Sequence, residues 1–281
     1  MSLVIETYSS GSKIILAIIF AVLFYIVLRY IFKLLELLYV IKHKKPLYTH
    51  SYLLKRKLNA SQKAILKKDF SFYNKLSKPY KSYFEHRLAS FIEDKDFIGR
   101  QGVKVSEEMK VLISATAVML TFGFRDFYIG LISKIVIYPS EFYSKTNDAY
   151  HKGEFNPKLK ALVLSWEDFK KGFEDGHDNI NLGIHEFTHA IHLNSIKERD
   201  ISSTIFSDSF NELSKTLAHN ESLKNELITS NYFRKYAFTN RFEFLAVAIE
   251  NFIETPKEFK SQFPQIYKVI KQMLNFNFTG Y

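Results

Sequence analysis

The chain has 281 residues, enough for one large domain or two small ones, and its 47% apolar and 16% aromatic content is ample for a sizeable core. It contains no cysteine, which excludes disulfides, thiol nucleophiles and cysteine metal ligands, so any metal must be held by histidine and carboxylate; this composition fits the cytoplasm. The formal net charge is +10, but the lysines are scattered and no basic-aromatic module accompanies them, so a nucleic-acid partner is not expected.

Glycine and proline are few and the apolar runs are long, which predicts a mostly helical protein. Residues 1–12 read as a mixed N-terminal tail. From Ile14 to Leu28 fifteen apolar residues follow without interruption, and the run extends to Phe32 with only Arg29 intervening. At ~1.5 Å per residue this stretch approaches the ~30 Å of a bilayer core, which predicts one transmembrane helix through the lipid bilayer from Ile14 to Phe32. With its continuation along the membrane surface, the helix is placed at residues 13–41, stopping before Pro46. A secretory signal is disfavoured because no basic residue precedes Lys13 and no small-x-small cleavage site follows. Residues 1–45 carry six basic residues against two acidic ones, a net +4, with Arg29, Lys33, Lys42, Lys44 and Lys45 on the C-terminal side. The positive-inside rule therefore predicts a single-pass protein of the plasma (inner) membrane with its C-terminal domain in the cytoplasm.

Residues 42–60 read as a polar tether, and a globular domain is predicted over 61–281. Tyr83, Phe84, Leu88, Phe91 and Ile92 have helical spacing, and Ser106 is a candidate cap for a second helix running from Glu107 towards Phe122. The pattern then changes: Ile135 to Tyr138, stopped by Pro139, and Ala161 to Leu164 read as short strands. The polar stretch between them suits a loop or irregular hairpin, and the exposed edge of the strand before the next helix can pair with an extended peptide.

That next helix carries Gly183-Ile184-His185-Glu186-Phe187-Thr188-His189-Ala190, a His-Glu-x-x-His motif. Two histidines four apart on a helix lie one turn above each other and can reach one metal ion, and the glutamate between them can take a proton from a bound water. Ile184, Phe187 and Ile191 form the buried stripe and Asn181 the expected cap. After a polar helical stretch from Asp208 to Asn225, the segment from Tyr236 to Phe252 reads as a second buried helix with carboxylates at Glu243 and Glu250, and a last helix follows Pro264.

A catalytic zinc needs three protein ligands and an open position. The third histidine of some zinc helices is ruled out, because Ser195 stands at its position. His192 shares roughly the face of His185 and His189, but three ligands on one straight helix splay apart, so a partly exposed or supporting role is expected. Glu243 is the best third ligand, with small Ala246 after it leaving room for close packing, and Glu250 is a candidate acceptor for a ligand-histidine N–H.

Further pieces carry a resemblance: Ile137-Tyr138-Pro139, Val163-Leu164-Ser165-Trp166, Asn181-Leu182 before the motif, Tyr236-Ala237 before Glu243-Phe244-Leu245-Ala246-Val247, and Glu258-Phe259 followed by Phe263-Pro264 and Tyr267. Together they resemble the Mlc titration factor family of zinc-dependent peptidases, the glucose-regulated metallopeptidases, over roughly residues 65–275. The resemblance implies an α+β, mostly helical, zincin-like metallopeptidase domain with a small sheet. It implies zinc (Zn2+) as cofactor on His185, His189 and Glu243, Glu186 as general base, and Tyr236 as a hydrogen-bond donor in the active site. His192 departs from the family, which often has an acidic residue there. The expected function is a membrane-anchored zinc metallopeptidase acting on peptide or protein substrates, with aminopeptidase-like activity implied by the resemblance. The alternative is a non-catalytic or latent module that sequesters a transcriptional regulator at the membrane.

Overall fold

The computed structural model describes residues 9–144, 148–174 and 176–278. The N-terminal tail expected over 1–12 lies mostly outside these residues, as does part of the polar stretch, residues 145–147. The chain divides into two compact units, residues 1–47 and 48–281.

The first unit is one helix, α1 (Ser10–His43). Ser9 caps it by accepting the Ser12 N–H, and Lys44 ends it in a left-handed conformation with φ 53°. Its 34 residues continue without a break past the span expected from apolarity, and the helix is long and apolar enough to cross a membrane. The side chains from Ile14 to Phe32 are exposed on every side of it.

In the second unit, residues 48–59 form no helix or strand, yet the half of the expected tether beyond Tyr48 is bonded to the domain. The reason is Arg87, fully buried in α4 (Lys78–Asp94), which donates to the carbonyls of Thr49, Thr121, Phe122 and Phe124 and to the Tyr52 hydroxyl. Before α4 come α2 (Ala60–Asp69), opened by a capping box between Asn59 and Gln62, and the single turn α3 (Ser71–Lys75).

β1 (Asp96–Gly99), α5 (Glu107–Leu120) and β2 (Lys134–Tyr138) make a parallel crossover, with Ser106 capping α5 as its spacing predicts. The polar stretch forms a β3 (Phe142–Ser144) and β4 (Ala149–His151) pair, then β5 (Gly153–Asn156). β6 (Ala161–Ser165) lies parallel to β2 and antiparallel to β5, so the four-stranded sheet has the order β1-β2-β6-β5. Ile135, Ile137, Leu162 and Leu164 share one face and are wholly buried. One expectation is corrected here. β6, the strand expected to offer a free edge, has both edges paired; the edge strands are β1 and β5, and the one that meets α7 is β5, whose Gly-Glu-Phe-Asn sequence carries little strand signal.

The remaining elements are helical: α6 (Trp166–Glu174), α7 (Leu182–Lys197), α8 (Ile201–His219), α9 (Glu221–Thr229), a short 3-10 turn (Lys235–Phe238), α10 (Arg241–Glu254), α11 (Pro256–Gln262) and α12 (Pro264–Met273). α7 is the central helix: it packs against α5, α6, α8 and α10, and meets the sheet at β5 and β6. This is the α+β, mostly helical architecture with a small sheet that the sequence predicts. Tyr236 lies in the 3-10 turn rather than on the following helix, because Asn240 starts α10 by accepting the Phe242 and Glu243 N–H groups.

Candidate metal centre

α7 begins where it does because the Asn181 side chain accepts the Ile184 N–H. The same residue ties three elements together: its amide donates to the Gly172 carbonyl and to Glu254, and its backbone N–H donates to Glu250 Oε2. α6 can approach α7 closely because residue 183 is glycine; a Cβ there would stand 2.5 Å from the Phe169 ring. Ile184, Phe187, Ala190 and Ile191 are buried in the core, which turns His185 and His189 towards α10.

α10 lays Glu243, in its first turn, against that histidine face. His185 Nε2 lies 3.1 Å from His189 Nε2 and 3.0 Å from Glu243 Oε2, which is in turn 3.5 Å from His189 Nε2. One turn pair further on, the wholly buried Glu250 sits 2.6 Å from His185 Nδ1. A carboxylate there accepts the Nδ1 proton, so the neutral His185 ring carries its lone pair on Nε2, aimed at two other electron-rich atoms. Three such atoms facing one another suit a cation set among them. In the metal-free protein a proton takes that place: burial pulls the His185 imidazole down, but Glu243 and Glu250 outweigh it and lift it to about 9. Burial likewise raises the Glu243 carboxyl, yet its bonds to His185 and His189 hold it well below the usual carboxylate range.

The residue that holds Glu250 is Arg234, which the sequence reading missed. Its Nη1 and Nη2 donate to Glu250 at 2.6 and 2.8 Å, and Nη1 also reaches the Asn179 carbonyl at 2.6 Å. This two-pronged clamp fixes the carboxylate that fixes the His185 ring. No local pattern marks Arg234; its position two residues before Tyr236 is the only hint. Arg234→Ala is expected to weaken metal binding roughly 10–100-fold while leaving all three ligands in place, measured by competition with a metal-chelating dye.

Glu186 is buried, which raises its carboxyl above the usual range. It lies directly under β5. A Cβ at residue 153 would come within 2.6 Å of Glu186 Cγ and Oε1, so only glycine lets the edge strand and this carboxylate share the space. Gly153→Ala is expected to fold normally, because the clash falls on the movable end of a side chain, but to push Glu186 out of place. The expected outcome is a turnover loss of about 10²-fold with an unchanged melting temperature, read by steady-state kinetics beside a thermal melt.

Tyr236 is half-exposed, its ring centroid is 5.8 Å from that of His185, and the Glu243 carboxylate acts on its phenol. Burial and then the Glu243 charge push the phenol up to about 12, so it stays a proton donor through the neutral range. His192 is corrected from partly exposed to buried: it sits among Phe206, Phe210 and Phe242, and burial lowers it to about 4. It is not among the group that can hold a metal, because α8 packs aromatic rings against that part of α7.

The ligand atoms of His185, His189 and Glu243 all lie within 4.8 Å of one another, and this is the group of described residues able to hold a metal ion. Comparison with known proteins agrees with it. The model of the glucose-regulated metallo-peptidase M90 family matches residues 44–275. The chain belongs to that family. It is also similar to an uncharacterized protein of Synechocystis sp. (strain ATCC 27184 / PCC 6803 / Kazusa), 24% identical over 242 residues that cover 78% of this chain and 85% of that one. Membership implies a metal and a hydrolase of the metallopeptidase type. The convergence of lone pairs at His185, His189 and Glu243 fits that implication from the side of this chain's own atoms.

Proposed function

We propose that the domain is a zinc-dependent peptidase, with His185, His189 and Glu243 holding the ion and Glu186 acting as general base. The observation that carries this reading is the convergence of two imidazole nitrogens and a carboxylate oxygen beside a buried glutamate. The separations of 3.0 to 3.5 Å match the edges of a tetrahedron, about 3.3 Å, built on ligand bonds of ~2.0–2.1 Å, and two nitrogens with one oxygen is a common catalytic zinc set.

A zinc ion held by His185, His189 and Glu243 would acidify a water to a pKa near 7 and polarise the scissile carbonyl. Glu186 takes the proton from that water. Its burial supports the role, since a raised pKa lets the carboxyl both accept a proton and release it to the departing amine. The Tyr236 hydroxyl donates to the oxygen on which negative charge develops. The free edge of β5, running over Glu186, offers backbone groups for an extended peptide to pair with. Glu250 and Arg234 touch no substrate and act by orienting His185.

We further propose that α1 anchors this peptidase in the plasma (inner) membrane, with residues 48–281 on the cytoplasmic side, as the basic residues after the apolar run support. Aminopeptidase-like activity belongs to the same proposal.

The test is metal removal and restoration. Chelator treatment is expected to abolish cleavage of a fluorogenic peptide library, and one equivalent of zinc per chain to restore it. Affinity is also expected to fall as the pH drops, because the metal competes with the proton that His185 holds up to about 9 in the metal-free protein. Stoichiometric zinc with no cleavage of any library member would overturn the enzyme reading.

A further inference from the structure

Between Thr49 and Arg56 the chain is pinned to α4 on both sides of a bend. Arg87 donates to the Thr49 carbonyl at 3.0 Å and to the Tyr52 hydroxyl at 2.6 Å. On the other side, the Arg56 N–H donates to His86 Nδ1 at 2.9 Å, and the Lys55 ammonium stands 4.3 Å above the Tyr83 ring. The two residues left over at the bend are leucines. Leu53 is fully exposed and Leu54 88% exposed, the most exposed large apolar side chains among the described residues. A loose loop could fold such residues back onto apolar surface; this one is held open by the bonds on either side of it.

The flanks are cationic. Lys55, Arg56 and Lys57 follow directly, and from Lys42 to Lys57 there are six basic residues and no acidic one. Arg56 pairs with Glu93, so Lys55 and Lys57 supply most of the free charge at the bend. Leu53 also stands only ten residues beyond His43, the end of a helix long and apolar enough to span a membrane. An apolar tip with lysines behind it matches one surface above others: acyl chains below, phosphates above. A second copy of this chain, carrying the same charge, is repelled by it.

We propose that Leu53 and Leu54, backed by Lys55 and Lys57, form an interfacial tip that enters the headgroup layer of an anionic phospholipid bilayer and holds the peptidase domain to it at a second point. The proposal rests on the reading that α1 spans that bilayer.

Because the chain has no cysteine, Leu54→Cys gives a single labelling site in the full-length protein. The labelled protein is reconstituted in vesicles of phosphatidylcholine containing about a third phosphatidylglycerol, with an environment-sensitive fluorophore on the cysteine. The expected result is a blue-shifted emission that brominated acyl chains quench and aqueous iodide does not. The same label at exposed Leu159, introduced by Leu159→Cys, is expected to remain iodide-accessible. Lys55→Glu with Lys57→Glu in the Leu54→Cys chain is expected to return the tip label to water, as is moving to pure phosphatidylcholine. A chain that floats with anionic vesicles while its tip label stays open to iodide overturns the tip alone. A label shielded from iodide yet untouched by brominated lipid reports a protein contact and also overturns it. A chain that does not float with the vesicles at all overturns the tip and the α1 anchor together, and leaves the zinc reading standing.

Discussion

Glu186→Gln is expected to lower turnover by about 10²–10⁴-fold while leaving the zinc content of the protein unchanged, the range typical for loss of a positioned general base. Glutamine has the shape of the residue it replaces, so it can occupy the narrow space under Gly153 without moving β5. It cannot accept a proton. Glu186 is also not one of the three converging ligands, so the ion keeps its full set. His189→Ala makes the opposite case: it removes a ligand, and both zinc and turnover are expected to go. The paired measurement is metal content by elemental analysis and steady-state kinetics on one peptide. Full activity in the glutamine variant would remove Glu186 from the mechanism, whereas loss of zinc in it would place Glu186 among the ligands.

Arg87→Met is expected to destabilise the domain by on the order of 3 kcal/mol, which for a domain of this size lowers the melting temperature by roughly 6–12 °C. Arg87 is completely buried, and the hydrogen-bond partners shown for it among the described residues are four backbone carbonyls and one hydroxyl. Burial alone lowers its pKa, which measures how unfavourable the site is for a charge. Relief of that burden offsets part of the loss in the variant. The larger effect is that the carbonyls of Phe122 and Phe124, just after α5, lose their donor inside the core, that of Thr121 keeps only the Phe124 N–H, and residues 49–52 lose their clamp. A scanning-calorimetry melt of the wild type and Arg87→Met decides the matter, and an unchanged midpoint would mean that water replaces the guanidinium at little cost. Loosening of the 49–52 segment is expected to appear as faster proteolysis near the Leu53 bend.

Much of this protein was legible in its residues. The caps Asn181 and Ser106 stand where their side chains predict, because a cap answers to backbone groups two or three residues away. The apolar run of α1 and the two short apolar strands, β2 and β6, were legible for the same reason: composition over a short window governs them. The site was half legible. His185 and His189 come together through helical periodicity alone, and Glu250 behaves as the acceptor that its buried carboxylate suggested. Three features had no local sign. Arg234 acts through a partner sixteen residues away, Gly153 matters only because α7 passes beneath it, and His192 is closed off by rings from α8 and α10.

The division follows from the range of the forces involved. By itself the sequence determined the helices α1, α4, α5 and α7, the apolar segment long enough for a membrane and the pair of histidines one turn apart, since each depends on neighbours along the chain. Only the tertiary structure decided that Glu243 faces the histidines while Glu250 stands behind them, and that β5 rather than β6 presents a free edge. Those choices rest on how α10 and the sheet cross α7, and the packing that sets such crossings joins residues far apart in the chain.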